Sequence, residues 1–186
     1  MTRTIGVLAL QGCVEPHRAH VEAAGARLLA VKTAAEIAAA DALILPGGES
    51  TTMLRLLRVF GLWDALASAV REKPVWGVCA GAILLAQRVE NPTQDSLGVL
   101  PMTAIRNAYG RQRESHRAQV AGHPVAFIRA PKFADLGPGV EVLARAGAEP
   151  VWVRHGNAMA TAFHPELSGP MPSPVHRAFA GPHALP

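Results

Sequence analysis

The residues with the clearest capacity for chemistry surround Cys79, in the segment from Val75 to Leu85. This segment has the pattern of a nucleophile elbow: a buried strand, a Gly-x-Cys-x-Gly turn and an apolar helix. The turn of an elbow is so sharp that the residues flanking the nucleophile must be very small, and Gly77 and Gly81 meet that need. Unpaired N–H groups and the dipole at the helix N-terminus favour a thiolate. The pattern predicts Cys79 as a nucleophile rather than a small buried core residue.

A cysteine nucleophile needs a base, and the base needs a group that orients it. His164 and Glu166 supply both residue types, directly after a predicted strand from Met159 to Phe163. Side chains at the end of that strand could reach the sheet edge that carries Cys79. Imidazole has a suitable pKa to accept the thiol proton and return it to a leaving amine, while a carboxylate fixes its tautomer. We therefore expect His164 as the base and Glu166 as its orienter.

A pair of glycines, Gly47 and Gly48, follows another predicted strand. Adjacent glycines let backbone N–H groups turn toward a bound oxygen, as an oxyanion hole requires. The alternatives are a plain turn between strand and helix, or a phosphate-binding loop. The second is disfavoured because the lysine of a P-loop is missing. The next helix is predicted from Ser50 to Arg58, with Ser50 or Thr51 as its N-cap.

The order of elements indicates an α/β protein. Apolar strands without polar alternation, separated by helices, are typical of a parallel sheet that is covered on both faces. In the first half, strands are predicted over Thr4 to Leu10, Arg27 to Lys32 and Ala42 to Leu45, and helices up to about Ala24 and over Leu62 to Arg71.

The pattern changes from about Gly98 to short strands with little helix between them. This spacing predicts antiparallel hairpins that extend the sheet. The strands are expected over Met102 to Asn107, Pro124 to Arg129, Val140 to Arg145, Val151 to Arg154 and Met159 to Phe163. A last helix, Val175 to Ala180, precedes a Pro/Gly tail that we expect to fray from about residue 181. The chain reads as one domain over residues 1–186.

Composition excludes several classes of function. No apolar run approaches the ~20 residues of a membrane span, so we expect a soluble protein. The net charge of +4 is spread along the chain without a basic run, which disfavours nucleic-acid binding. The two cysteines, Cys13 and Cys79, form no disulfide framework, and a nucleophilic thiol needs a reducing compartment. These features favour the cytoplasm.

The motifs resemble those of a known family. Gly77 to Gly81, together with His164-Pro165-Glu166, resembles the triad of class I glutamine amidotransferase domains. Four further segments narrow the resemblance to the glutaminase subunit of pyridoxal 5′-phosphate synthase. They are VLALQG at 7–12, LPGGESTT at 45–52, RNAYGRQ at 106–112 and FIRAP at 127–131. The resemblance implies a three-layer α/β/α flavodoxin-like class I glutamine amidotransferase fold with a mixed central sheet.

The resemblance also implies an activity, which is hydrolysis of L-glutamine to L-glutamate and ammonia through a Cys79 thioester. The ammonia would serve a separate barrel-type synthase subunit in a hetero-oligomer, and no cofactor or metal is implied. The backbone N–H groups of Gly48 and Ala80 would hold the oxyanion, with Gln11 near them and near the subunit interface. Glutamine binding is assigned to Gly47, Gly48, Glu49, Arg106, Ile128 and Arg129.

The chemistry of glutamine agrees with part of this assignment. An arginine can hold the substrate carboxylate in bidentate fashion, and Glu49 could balance the ammonium. Whether Arg106 or Arg129 holds the carboxylate stays open. The residue types also admit a glutaminase for a histidine or purine synthase, or a non-catalytic module on the same fold. The chain departs from the family at Pro16, which precedes His17 where an acidic residue is common, and in its short, proline-rich C-terminus.

Overall fold

A mixed seven-stranded sheet forms the centre of the computed structural model, which describes residues 2–108, 115–167 and 169–181. The strands are β1 Thr4–Leu8, β2 Arg27–Val31, β3 Ala42–Leu45, β4 Val75–Val78, β5 Ala86–Glu90, β6 Leu100–Ile105, β7 Ser115–Val120, β8 His123–Ile128, β9 Lys132–Ala134, β10 Glu141–Ala146, β11 Glu149–His155 and β12 Ala158–Thr161. The helices are α1 Glu15–Ala23, α2 Ala34–Ala39, α3 Ser50–Val59, α4 Trp63–Glu72, α5 Ala80–Leu85 and α6 Pro174–Ala180.

The central sheet has the strand order β10-β11-β12-β4-β3-β1-β2. Strands β2, β1, β3, β4 and β12 are parallel, while β11 runs antiparallel to both of its neighbours. The chain moves outward from β1 to β2 and then returns past β1 to β3, so right-handed crossovers place α1 and α2 on opposite faces. Consistently, α1 packs against α6, whereas α2 packs against α4. The predicted three-layer fold with a mixed sheet is confirmed.

Burial explains why the inner strands lack polar alternation. Every residue of β1, β3, β4 and β12 is buried, because helices cover both faces of the sheet there. Within the described residues, no helix combines the length and apolar character needed to cross a membrane.

Two predicted strands do not extend the central sheet. The strand expected from Met102 to Asn107 is β6, which lies in a separate three-stranded sheet between β5 and β9. The strand expected from Pro124 to Arg129 is β8, which forms a hairpin with β7. Alternate residues of β8 are buried, as in a strand that covers a core with one face only. The prediction was correct for β10, β11 and β12.

The first helix accommodates the unusual proline. Pro16 lies in the first turn of α1, where a missing N–H leaves no hydrogen bond unmade and the fixed φ suits a helix. Helix α2 was not predicted, although Thr33 and Glu36 form a capping box at its start. The short strands β5, β7 and β9 were not predicted either.

Candidate active site

The turn that carries Cys79 has the strand-turn-helix geometry of a nucleophile elbow. Cys79 is the N-cap of α5 and has a φ of +49°, a value that non-glycine residues seldom adopt. A Cβ on Gly77 would lie 2.6 Å from backbone atoms of α5, and a Cβ on Gly81 would lie 1.9 Å from the carbonyl oxygen of Leu45. Only glycine therefore permits helix and strands to approach this closely.

Three neighbouring parallel strands bring the predicted groups to one edge. Cys79 follows β4, the glycine pair follows β3, and His164 lies shortly after β12. The N–H of Cys79 donates to the carbonyl of Thr161 at 2.8 Å, and the N–H of His164 donates to the carbonyl of Ala126 in β8 at 2.7 Å. The β7–β8 hairpin thus holds the chain that leads into the histidine. Ligands commonly bind at this carboxyl edge of a parallel sheet.

His164 and Glu166 form a buried pair. Nδ1 of His164 lies 2.7 Å from Oε1 of Glu166, which leaves Nε2 for the Cys79 side chain. Burial alone lowers the pKa of His164, but hydrogen bonds to Cys79 and Glu166 outweigh it and raise that pKa to about 10. Burial likewise opposes ionisation of Glu166, yet its hydrogen bond to His164 holds the pKa of the carboxyl below its usual range. The ring therefore carries its proton at neutral pH.

Gly47 and Gly48 pack between the His164–Glu166 pair and the loop that contains Gln11 and Gly12, here called the Gln11 loop. A Cβ on Gly47 would lie 2.2 Å from Cε1 of His164, so the imidazole rests directly on the Gly47 backbone. A Cβ on Gly48 would lie 2.5 Å from the amide of Gln11, whose Oε1 accepts the N–H of Glu49 at 3.2 Å. The carbonyl oxygen of Gly47 in turn lies against Gly12. The predicted oxyanion loop is thus in contact with both the base and the Gln11 loop.

A cavity of about 330 Å³ opens beside Cys79, at the small end of the range of roughly 300–1,000 Å³ for ligand pockets. It is lined by Cys13, Gly48, Glu49, Ser50, Cys79, Ala80, Ile83, Arg106, Asn107, Ile128, Arg129, His164 and Leu167. Most of the predicted site residues therefore surround one space. Gly47, Gln11 and Glu166 do not line the cavity, and they support its wall from behind.

Five lining residues were not predicted: Cys13, Ser50, Ile83, Asn107 and Leu167. Three of them are chain neighbours of predicted residues, and Ile83 lies one helical turn beyond Ala80. Adjacency along the chain or the helix was thus the signal that could have identified these four, whereas Cys13 carries no such signal. Within the RNAYGRQ motif, residues 109–112 lie outside the described residues.

Glu49 has a structural role that the sequence did not predict. Glu49, rather than Ser50 or Thr51, is the N-cap of α3, and its carboxylate accepts the backbone N–H groups of Thr51 and Thr52. Burial opposes ionisation, but these hydrogen bonds lower the pKa of the carboxyl. Glu49 also pairs with Arg106 at 3.1 Å, which directs that guanidinium along the cavity wall. The longer glutamate side chain reaches the helix N–H groups as an aspartate normally does.

Replacing Gly47 should test the packing of the imidazole. We expect Gly47→Ala to displace the His164 ring and to lower kcat for the reaction at this site, because the new methyl overlaps Cε1. Gly137→Ala is a matched control, since its methyl would crowd Pro101, away from the cavity, at 2.9 Å. The control should cost stability without a comparable loss of kcat. Equal kcat in the Gly47 variant and the unsubstituted chain would contradict the contact.

The raised pKa of His164 predicts how stability depends on pH. The folded protein holds this proton up to about pH 10, whereas an unperturbed histidine releases it near 6.5. The contribution of the pair is therefore complete below about pH 6.5 and is lost as the pH rises toward 10. In urea denaturation, the stability difference between the unsubstituted chain and His164→Gln should shrink across this window. Glu166→Gln should weaken the same dependence, and a difference that is constant with pH would contradict the pairing.

Comparison with known proteins places this geometry in a family. The model of the SNO glutamine amidotransferase family matches residues 7–179. Pyridoxal 5′-phosphate synthase subunit PdxT of Frankia casuarinae is 52% identical over 185 residues, with 94% of this chain and 92% of that protein covered. The protein with the same description from Streptomyces coelicolor is 47% identical over 189 residues, with 96% and 93% covered.

Solved structures agree with the sequence comparisons. A crystal structure of a glutamine amidotransferase superposes with a TM-score of 0.82 at 44% identity, covering 88% of this chain and 91% of that one. A putative GMP synthase subunit from Thermoplasma acidophilum superposes at 0.65 with 16% identity, covering 95% and 89%, and shares the fold alone. The family match extends over most of the chain and includes the elbow, the glycine pair and the His-Pro-Glu unit. This chain belongs to the SNO glutamine amidotransferase family.

Proposed function

We propose that this chain is the glutaminase subunit of a pyridoxal 5′-phosphate synthase, and that it hydrolyses L-glutamine to L-glutamate and ammonia. One observation carries the proposal: Cys79 and His164 line a cavity large enough for a small ligand, and Glu166 pairs with His164 behind the cavity wall. The relatives at about half identity over nearly the whole chain are described as subunits of that synthase. The alternative glutaminases for histidine or purine synthases have weaker support, since the GMP synthase subunit is similar in fold only.

The first half of the proposed reaction forms a thioester. The Cys79 sulfur attacks the side-chain carboxamide carbon of glutamine, and the carbonyl oxygen becomes an oxyanion held by the N–H groups of Gly48 and Ala80. The protonated His164 lies ready as an acid, because its pKa is raised to about 10 by the hydrogen bonds that outweigh its burial. It gives its proton to the amide nitrogen as the C–N bond breaks, and ammonia leaves.

The second half releases glutamate. His164, now neutral, accepts a proton from a water molecule that attacks the thioester carbon. The tetrahedral intermediate then breaks its C–S bond, so that glutamate leaves, the Cys79 sulfur is free again and His164 is again protonated. Glu166 keeps Nδ1 of His164 protonated throughout and does not itself transfer a proton.

The cavity wall supplies the groups proposed to hold glutamine. Arg106 is fixed by Glu49 and by the hydroxyl of Thr51 at 3.1 Å, so its charge is partly neutralised within the wall. Arg129 lines the same cavity and has a φ of +44°, so the chain turns sharply there. We assign the substrate carboxylate to Arg129 on this basis, with the carboxylate of Glu49 toward the ammonium. Gly47, Gly48, Ile128 and Arg106 complete the proposed binding set.

The proposed partner is a barrel-type synthase subunit that receives the ammonia. The Gln11 loop contacts both ends of the Gly47–Gly48 peptide, so a partner that docks on this loop can change the orientation of the peptide. A glycine peptide reorients at little cost, and only one orientation aims its N–H at the oxyanion. Docking would thereby couple glutamine hydrolysis to the consumer of ammonia. We place the complex in the cytoplasm because a catalytic thiol needs reducing surroundings.

Substituting the two cysteines separates the nucleophile from its neighbour. Cys79→Ser should lose glutamine hydrolysis by several orders of magnitude while it remains folded, because the hydroxyl is a far weaker nucleophile with this base. Cys13→Ser should keep most of the activity, although Cys13 lines the same cavity. Ammonia release and thermal unfolding measure the two properties. A Cys13 variant as inactive as the Cys79 variant would overturn the assignment.

Kinetics with and without the synthase subunit test the coupling. The isolated chain should bind glutamine but turn it over slowly, and the partner should raise kcat by ~10²–10³, the usual worth of one oxyanion donor. Gln11→Ala should reduce this activation more than it changes KM. The exposed Gln87 on β5 offers a matched control, and Gln87→Ala should keep full activation. Equal kcat with and without partner, or full activation of Gln11→Ala, would contradict the mechanism of coupling.

A further inference from the structure

Behind Glu166 lies a cluster of buried polar side chains to which the proposed reaction gives no role. His17 and His20 on α1, and Ser173 and His176 at the start of α6, are at most 1% exposed. Nδ1 of His17 lies 2.9 Å from Nε2 of His176, and Nδ1 of His176 lies 2.7 Å from Oγ of Ser173. These contacts form a continuous row of hydrogen bonds from Ser173 to His17.

The His17 end of this row lies near Glu166, and each of these two residues has a buried polar atom without a hydrogen bond to any other residue that the structure describes. Among the described residues, Nε2 of His17 and Oε2 of Glu166 are both buried and have no hydrogen-bond partner. Helix α1 packs against the 3-10 turn Pro165–Leu167, and the charge of Glu166 acts on the imidazole of His17. A buried polar atom without a partner is costly. The unmatched nitrogen and the unmatched oxygen thus belong to neighbouring, electrostatically coupled groups.

The proton pattern of the row has only two solutions. Burial lowers the pKa of His17 to about 4 and that of His176 well below its usual value, so both rings are neutral at pH 7. A neutral imidazole has one donor and one acceptor nitrogen. All protons must therefore point either toward Glu166 or away from it. The second solution would aim a lone pair of His17 at a carboxylate, which is unfavourable.

We propose that His17 is a positioning residue for the catalytic dyad, with its Nε2–H presented to Oε2 of Glu166. This proposal rests on the proposed function. The Ser173 hydroxyl donates to Nδ1 of His176, whose Nε2–H donates to Nδ1 of His17. Oε2 is then engaged on its far side, so Oε1 stays turned toward His164. Whenever His164 is neutral during the reaction, the row thereby keeps its one ring proton on Nδ1 and leaves Nε2 to accept a proton.

Surrounding contacts restrain the rings of the row. The Trp76 ring meets His17 and His176 edge-on, at centroid distances of 5.6 Å and 4.9 Å. Nδ1 of His20 accepts the backbone N–H of Ser173 at 3.1 Å, so its own proton lies on Nε2, and His20 is hydrogen-bonded to the backbone of Glu166. Both the carboxylate and the main chain of Glu166 thus face histidines of α1.

Histidine tautomers give a test that is independent of activity. The chain is labelled with nitrogen-15, and long-range correlation NMR at neutral pH, without glutamine, reports which ring nitrogen of each histidine carries the proton. We expect His17 and His176 to be neutral with the proton on Nε2. A proton on Nδ1 of His17, or a doubly protonated ring, would overturn the proposal.

A double-mutant cycle tests the catalytic consequence in the complex with the synthase subunit. Asparagine can replace Nδ1 of His17 but not Nε2, whereas glutamine can place an amide N–H near the Nε2 position. His17→Asn should lower kcat about tenfold, the effect of losing a hydrogen bond to a charged group, with little change in KM. His17→Gln should lose less. In a Glu166→Gln background, His17→Asn should have little further effect.

The outcomes separate this proposal from the proposed function. If the unsubstituted complex releases no ammonia from glutamine, the proposed glutaminase function is refuted. The histidine tautomers measured by NMR would still test whether His17 donates toward Glu166. If the unsubstituted complex is active but His17→Asn lowers kcat equally in the unsubstituted chain and in the Glu166→Gln background, the positioning role of His17 is refuted. The same holds if His17→Gln is as damaging as His17→Asn. If thermal unfolding shows that the His17→Asn variant does not fold, the histidine tautomers of the unsubstituted chain still test the proposal.

Discussion

The close approach of Gly81 to the backbone of Leu45 is the constraint on which the candidate active site depends. Helix α5 can begin directly above β3 and β4 only because no side chain separates it from them, and the chain must then turn through a left-handed conformation at Cys79. That turn lifts the thiol to the sheet edge where β3 and β12 also end. A strained residue of this kind persists only where the surrounding structure fixes it, here through buried strands on both sides.

The second requirement is electrostatic. A buried carboxylate and a buried imidazolium each lose hydration, and the loss is tolerable only if the two are paired and hydrogen-bonded. Oε1 of Glu166 is hydrogen-bonded to Nδ1 of His164, and the Cys79 side chain interacts with the other ring nitrogen of His164. The pair thereby holds a proton on His164, next to the Cys79 side chain. The charge of Glu166 acts on His17 of α1, which is hydrogen-bonded to His176 of α6, so helices α1 and α6 both contribute to the buried polar network behind the pair.

The spatial grouping of Cys79, His164 and Glu166 was predictable because Cys79 follows one strand and the His-Glu pair follows its neighbour, and the carboxyl ends of neighbouring parallel strands meet. The strands β3, β4 and β12 are fully buried and therefore have an unmistakable apolar pattern. The strands β6 and β8 were correctly predicted as strands but assigned to the wrong sheet. Their burial, which alternates in β8 but not in β6, does not reveal which strands they pair with, since pairing depends on tertiary packing.

The cap of α3 shows another limit of local pattern. Serine and threonine are preferred N-caps, yet Glu49 takes that position because its side chain also pairs with Arg106, far along the chain. Similarly, nothing in the spacing of His17 and His176 indicates that α1 and α6 bring them together. Long-range contacts of this kind decide the outer shell of the site. The inner residues are set by strand ends and are readable from the sequence.

Mass spectrometry of the chain, quenched while it turns over glutamine with the synthase subunit, tests the central claim most directly. We expect a chain population that carries one glutamyl group, which is glutamine minus ammonia, and peptide mapping should locate it on Cys79. The group should disappear when glutamine is exhausted. A glutamyl group on Cys13 would contradict thioester catalysis by Cys79. So would glutamate production without any detectable glutamyl group on the chain, if the group is also absent from the His164→Ala variant.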